Sequence, residues 1–180
     1  LYTALSQMDG ESMNVSTVED PVEYELDFCN QVQAHEQIGM TFSAALKSLL
    51  RQDPDIIMIG EVRDGQTAKI AVQAALTGHL VLSTLHTNDA PSSISRLVNI
   101  GVDAYLIAAS LNAVLAQRLV RRVCPNCKEL YTVPDTQRKY LEKAGIEDTQ
   151  LYKGAGCEKC RDSGYAGRVG IYELLEVNDH

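Results

Sequence analysis

"DPDIIMIGEVRDG", Asp53 to Gly65, decides the fold. Four apolar residues, Ile56 to Ile59, run straight into Gly60, Glu61, Val62, Arg63 and Asp64. A short apolar run bounded by turn residues reads as a strand buried on both faces, as in parallel sheets. Ligands bind at the carboxyl ends of such strands in open α/β sheets. The stretch therefore delivers Glu61, Arg63 and Asp64 either to a working edge or, more plainly, to a capped and solvated loop.

The flanking sequence favours the working edge. Met13 to Asp20 predicts a strand that ends in acids and is stopped by Pro21, and Asn30 to His35 predicts a weaker one. Thr41 can cap a helix to Arg51, with Phe42, Ala45, Leu46, Leu49 and Leu50 on one face. Asp64 can cap an alanine-rich helix ended by Gly78, and "HLVLSTLHT" (His79 to Thr87) is the next strand. Asp89 opens a helix to Asn99, and a further helix is expected over Asp103 to Ala116. Strands alternating with helices predict βαβ units and a mainly parallel sheet, an α/β fold. Leu1, Ala4, Leu5 and Met8 fall at helical spacing with no capping residue before them, so the chain is expected to start inside a helix, as a fragment of something longer.

Composition changes near Val123. The expected organisation is an α/β core over 1–123, a turn-rich cysteine subdomain over 124–167 and a return to the core over 168–180. The subdomain holds one short helix near Thr136 to Ala144, and Arg168 to Val177 is expected to be the closing strand. A net charge of −8 argues against a non-specific grip on nucleic acid or anionic lipid. The most apolar stretch, Ala104 to Ala116, is too short to span a bilayer and is broken by Ser110 and Asn112.

Three expected strands carry polar groups at their ends. The first ends in Glu19, Asp20 and Glu23, the second in Glu61, Arg63 and Asp64, and the third has His79 at its start and Thr84, His86, Thr87 and Asn88 at its end. Clustered carboxylates suit a hard cation such as Mg²⁺ or the orientation of an attacking water. Phosphoryl transfer needs those parts together with cations for the developing charge. A phosphate-cradling G-x-x-x-x-G-K-[ST] loop is not among these residues, because none of the twelve glycines is followed by lysine.

Four of the five cysteines form two C-x-x-C pairs, "CPNC" (Cys124, Cys127) and "CEKC" (Cys157, Cys160). Two such knuckles supply four thiolates to a tetrahedral Zn²⁺ with no open position, so the expected role is structural. Arg121, Arg122, Lys128, Lys159 and Arg161 lie close enough in sequence to offset the negative charge. Cys29 is left over and is expected to be a small core residue.

"TVEDPVEYEL", "LRQDPDIIMIGEVRD" and "TGHLVLSTLHTNDA" resemble the aspartate box, the atypical Walker B motif and the histidine box of the bacterial secretion ATPases of type II secretion and type IV pilus assembly. The resemblance covers essentially the whole chain. It implies a RecA-like P-loop NTPase core that uses ATP and Mg²⁺, with the Walker A loop just upstream of Leu1. It implies a homohexamer working with a platform protein at the cytoplasmic face of the inner membrane, peripheral to it, to assemble a pseudopilus or pilus. Glu61 would then position water or act on the Mg²⁺ shell, and Glu19, Asp20 and Glu23 would help bind metal and orient the nucleophile. His79 and His86 would sense the γ-phosphate or hold the site together. Arg51 and Arg63 would stabilise charge or bridge subunits, and Lys47 stands where the family carries arginine, which removes a bidentate fork. The resemblance implies a tetracysteine segment in the type II secretion and pilus-extension branches but not in retraction ATPases, and "VEYEL" and "LAQRLVRRVCPNC" lean towards type II secretion, with pilus extension as the alternative. A different class of reading, a zinc-stabilised scaffold without catalysis, accommodates the missing phosphate loop but gives no reason for the clustered acids.

Overall fold

In the computed structural model, residues 1–146 and 150–178 are described. Positions 147–149, and 179–180 of the expected return segment, lie outside the described residues. The elements run α1 (Tyr2–Leu5), β1 (Val15–Glu19), β2 (Cys29–Gln33), α2 (Phe42–Leu49), β3 (Ile56–Ile59), α3 (Gly65–Leu76), β4 (Leu80–Ser83), α4 (Ala90–Asn99), α5 (Ala104–Ser110), β5 (Ala113–Val123), β6 (Lys128–Tyr131), α6 (Asp135–Lys143), β7 (Leu151–Gly154) and β8 (Tyr165–Glu176). They form two units, residues 1–116 with 173–180, and residues 117–172.

The first unit is built on a four-stranded sheet in the order β2-β1-β3-β4. All three pairings are parallel, with Val15 beside both Cys29 and Ile56, and Ile56 beside Leu80. Every residue of β3 is buried. Side chains alternate across a strand, so Ile57 and Ile59 enter a large core with α2, α3 and α5, while Ile56 and Met58 enter a smaller one with Leu5 and Val15. That two-sided burial is the physical content of the uninterrupted apolar run.

Local chemistry starts the helices. The Thr41 side chain accepts the Ala44 N–H, Asp64 accepts those of Gln66 and Thr67, and Asp89 accepts that of Ser92. α3 lies close to its neighbours through Ala68, Ala71 and Ala74, all buried. Gly65 has no alternative there, since a Cβ would stand 2.1 Å from the Ile100 carbonyl oxygen.

Two expected helices are shorter. α1 is a single turn, and the Asp103–Ala116 helix stops at Ser110, whose hydroxyl bonds back to the Leu106 carbonyl at 2.7 Å. From Ala113 the chain is β5, because it pairs with β8 in a two-stranded ribbon. Asn112 also accepts the Val177 N–H at 2.9 Å. A partner more than fifty positions away leaves no trace in local periodicity.

In the second unit β6 and β7 pair antiparallel, Lys128 opposite Gly154, and Val133 is buried. The unit is wider than the span that holds the cysteines, since it takes in most of β5 and β8.

Candidate functional site

Parallel strands bring the ends of β1, β3 and β4 to one edge. Glu61 lies just past β3, and its side chain is only 14% exposed. Arg63 donates Nη2–H to one carboxylate oxygen, and His86 Nε2 lies 3.0 Å from the other. A carboxylate only accepts, so Nε2 carries the proton in this contact. The Arg63 hydrogen bond, with smaller help from His86, holds the Glu61 carboxyl below the usual glutamate range. Arg63 also reaches Asp20, at 3.9 Å. The Thr84 hydroxyl donates to the Gly60 carbonyl at 2.6 Å, and the Val62 N–H donates to the Thr84 carbonyl at 3.1 Å, which stitches the β3 and β4 exits together.

Gly60 opposes Glu19 across the β1–β3 pair. Its N–H donates to the Val18 carbonyl at 2.8 Å, and a Cβ would meet that oxygen at 3.3 Å and Glu19 Cα at 3.4 Å. An aspartate at position 60 would have to push β1 aside.

Glu19 has a different setting from the other acids. It is 3% exposed, and both carboxylate oxygens are engaged. One accepts the Tyr2 hydroxyl, and the other accepts the Thr17 hydroxyl and Gln31 Nε2, the latter at 3.0 Å. Asp20 and Glu23 are exposed, in the loop beyond.

His79, Arg51 and Lys47 do not join this edge within the chain. His79 precedes β4, and Leu80 pairs with Ile56 at the beginning of β3, so a full strand of about 13 Å separates the two ends. Its Nδ1 lies 2.9 Å from the Ala74 carbonyl and 3.2 Å from the Thr77 hydroxyl, satisfying the end of α3. Arg51 occupies a 3-10 turn just before β3, and Lys47 the last turn of α2, both exposed. The structure thus brings Glu61, Arg63, Asp20 and His86 together at one edge and places His79, Arg51 and Lys47 away from it within the chain.

Asp64 is spent on α3. It accepts the Gln66 N–H at 2.8 Å, the Thr67 N–H at 2.9 Å and the Thr67 hydroxyl at 2.8 Å. Burial pushes its carboxyl up, but these bonds outweigh that and hold it below the ordinary aspartate value.

The four cysteines of the second unit form one cluster, all sulfurs within 4.8 Å of one another. Cys124 to Cys157 is 4.0 Å, Cys127 to Cys160 is 3.8 Å, and Cys157 to Cys160 is 3.6 Å. Four thiolates at about 2.3 Å from a tetrahedral Zn²⁺ stand about 3.8 Å apart. The cluster fits zinc. Asn126 Nδ2 donates towards Cys124 Sγ at 3.9 Å and Asn126 Oδ1 accepts from Lys159 Nζ at 3.3 Å, so one lysine reaches the sulfurs through an amide. Of the cations expected to offset the thiolate charge, Arg121 and Lys128 stack over the rings of Tyr165 and Tyr152. Cys29 is half-buried in the smaller core, and burial pushes its thiol up to about 11.

The match of the family model for type II/IV secretion system proteins extends over residues 1–180. The chain belongs to that family. It is 56% identical to the type IV pilus assembly ATPase PilB of Myxococcus xanthus, covering 99% of this chain and 32% of that protein. It is 52% identical to the type II secretion system protein E of Dickeya dadantii, covering 99% of this chain and 36% of that one. The chain thus spans about a third of the length of these relatives. Among solved structures, the pilus retraction motor PilT with bound ADP superposes with a TM-score of 0.62 at 30% identity, over 93% of this chain and 39% of that one. The ATPase DotB of Legionella pneumophila gives 0.61 at 23% identity over 99% of this chain and 42% of that one, a likeness of fold.

In this secretion-family chain, sequence reasoning missed Tyr2, Thr17 and Gln31 as partners of the acidic edge. One signal was present: side chains two apart on a strand share a face, so Thr17 was bound to lie beside Glu19.

Proposed function

We propose that this chain supplies the acidic, strand-end half of the ATP-hydrolysing site of a motor that assembles pseudopili or pili. It works as a homohexamer, peripheral to the inner membrane on its cytoplasmic face and engaged there by a platform protein, without nucleic acid. The phosphate-binding loop comes from sequence outside these 180 residues. Among the described residues no helix is long and apolar enough to cross a membrane, which agrees with attachment through partners.

The observation that carries this reading is the convergence of Glu61, Arg63 and His86 where β3 and β4 leave a parallel sheet. Glu61 orients a water for in-line attack and draws its proton. His86 Nε2–H fixes the direction of that carboxylate, and Arg63 sets a positive charge beside it. Asp20, Glu23 and Glu61 are the hard oxygen donors that would hold Mg²⁺, which when bound supplies positive charge to the phosphoryl oxygens. Arg51 and Lys47, both exposed, serve contacts between subunits, and His79 holds the end of α3 through the Ala74 carbonyl and the Thr77 hydroxyl. Cys124, Cys127, Cys157 and Cys160 hold Zn²⁺ structurally.

The motif wording leans to type II secretion. Pilus extension is the second reading, favoured by the 56% identity to PilB.

The test is phosphate release with Mg²⁺ from a chain that includes the phosphate-binding loop, beside its Glu61→Gln form. Glu61→Gln is expected to keep ATP binding and to lower turnover by about a hundredfold or more. Equal turnover from both makes Glu61 structural; none from either, where hexamers are demonstrated, removes the enzyme reading and leaves the zinc-stabilised scaffold.

A further inference from the structure

We infer that Tyr2 is a positioning residue for Glu23, its hydroxyl clamping the loop after β1 to the carboxylate of Glu19; this rests on the hydrolytic reading above. The Tyr2 hydroxyl donates to Glu19 Oε2. The Tyr2 hydroxyl oxygen in turn accepts the backbone N–H of Glu23 at 3.1 Å and of Tyr24 at 3.4 Å. One phenol therefore joins the end of β1 to the backbone of the acid four positions further on. The loop's other ties run to the side chains of Gln31 and Gln33 on β2. Its side of the chain carries Asp20, Glu23, Glu25 and Asp27, all exposed, and like charges crowded in one loop push it open.

A second tie shows that the loop is held on purpose at Glu19. Gln31 donates Nε2–H both to Glu19 Oε1 at 3.0 Å and to the Tyr24 carbonyl at 2.9 Å, and its Oε1 accepts the Leu26 N–H at 2.7 Å. Glu19 is thus a buried anchor with its oxygens committed, and Asp20 and Glu23 are the acids it presents. The Tyr2 ring meets the Tyr24 ring edge-on, centroids 5.4 Å apart. Burial and the neighbouring Glu19 push the Tyr2 phenol above its ordinary value, so the proton stays on the donor across the physiological range.

Two consequences separate this role from simple packing. Tyr2→Phe keeps the ring against Tyr24 and removes only the hydroxyl. Since that hydroxyl touches the loop and not a nucleotide, its loss acts on how well the acids are placed, hence on kcat, and leaves the ATP KM alone.

The experiment has two arms. In the 180-residue chain, hydrogen exchange is followed residue by residue: Tyr2→Phe is expected to speed exchange of the Glu23 and Tyr24 amides at least about tenfold, leaving Val18 and Ile59 unchanged. Unchanged amides at Glu23 and Tyr24 overturn the clamp whatever the chain hydrolyses. In the chain carrying the phosphate-binding loop, kcat is expected to fall about tenfold with KM within about twofold. If Glu61→Gln abolishes turnover while Tyr2→Phe leaves kcat intact, the positioning role is wrong and the hydrolytic reading stands. If neither substitution changes turnover, the role given to Glu61 in the hydrolytic reading has failed, and the exchange arm alone decides the clamp.

Discussion

Asp64→Ala removes the acceptor of three hydrogen bonds at the start of α3, two from backbone amides and one from the Thr67 hydroxyl. Loss of a helix N-cap costs about 1–2 kcal/mol. Thr67 is fully buried, and a buried hydroxyl without a partner costs about 1–3 kcal/mol more. The two costs overlap, so the expected loss is about 2–4 kcal/mol. For a chain of this size it would lower Tm by about 5–12 °C. The assay is urea denaturation followed by circular dichroism, read from the shift of the midpoint at constant slope. The pH dependence has a definite sign. The folded carboxyl is held below the ordinary 3.8, so its contribution is complete above that value and disappears as pH falls through the folded one. Wild type and Asp64→Ala should therefore differ fully at neutral pH and converge only in acid. A loss under about 0.5 kcal/mol, or a difference that shrinks already near neutrality, would refute the reasoning.

Two further substitutions test other parts of the structure. Cys157→Ser should abolish stoichiometric zinc and leave residues 117–172 open to protease, because structural zinc sites supply about 10 kcal/mol or more of folding free energy; unchanged metal content would exclude a four-sulfur site. Gly65→Ala should destabilise by about 2 kcal/mol or more, since its methyl would sit 2.1 Å from the Ile100 carbonyl oxygen; a melting temperature equal to wild type would show that α3 is not pinned there.

The parts of the fold that were legible in the sequence are those fixed by local chemistry. Thr41, Asp64 and Asp89 announce helices because an N-cap acts within three residues. Ile56 to Ile59 announces a central strand because burial on both faces leaves no polar position. The end of α5 and the start of β5 were not legible, since Ala113 to Ala116 becomes strand only through β8. His79 stands at the start of its strand in the sequence already, and the parallel pairing of β4 with β3 puts it at the opposite edge from His86. The roles within the acid group were hidden for a different reason. Glu19, Asp20 and Glu23 look alike as letters, and only the positions of Tyr2, Thr17 and Gln31 separate a buried anchor from exposed acids.

Glu61 holds Arg63 on one oxygen and His86 on the other, and each oxygen keeps a second lone pair for a newcomer. A carboxylate tied at both ends does not turn freely, so an incoming water meets lone pairs whose direction the exits of β3 and β4 have already set. The entropy of aiming that acid is lost once, when the chain folds, and not again at each turnover.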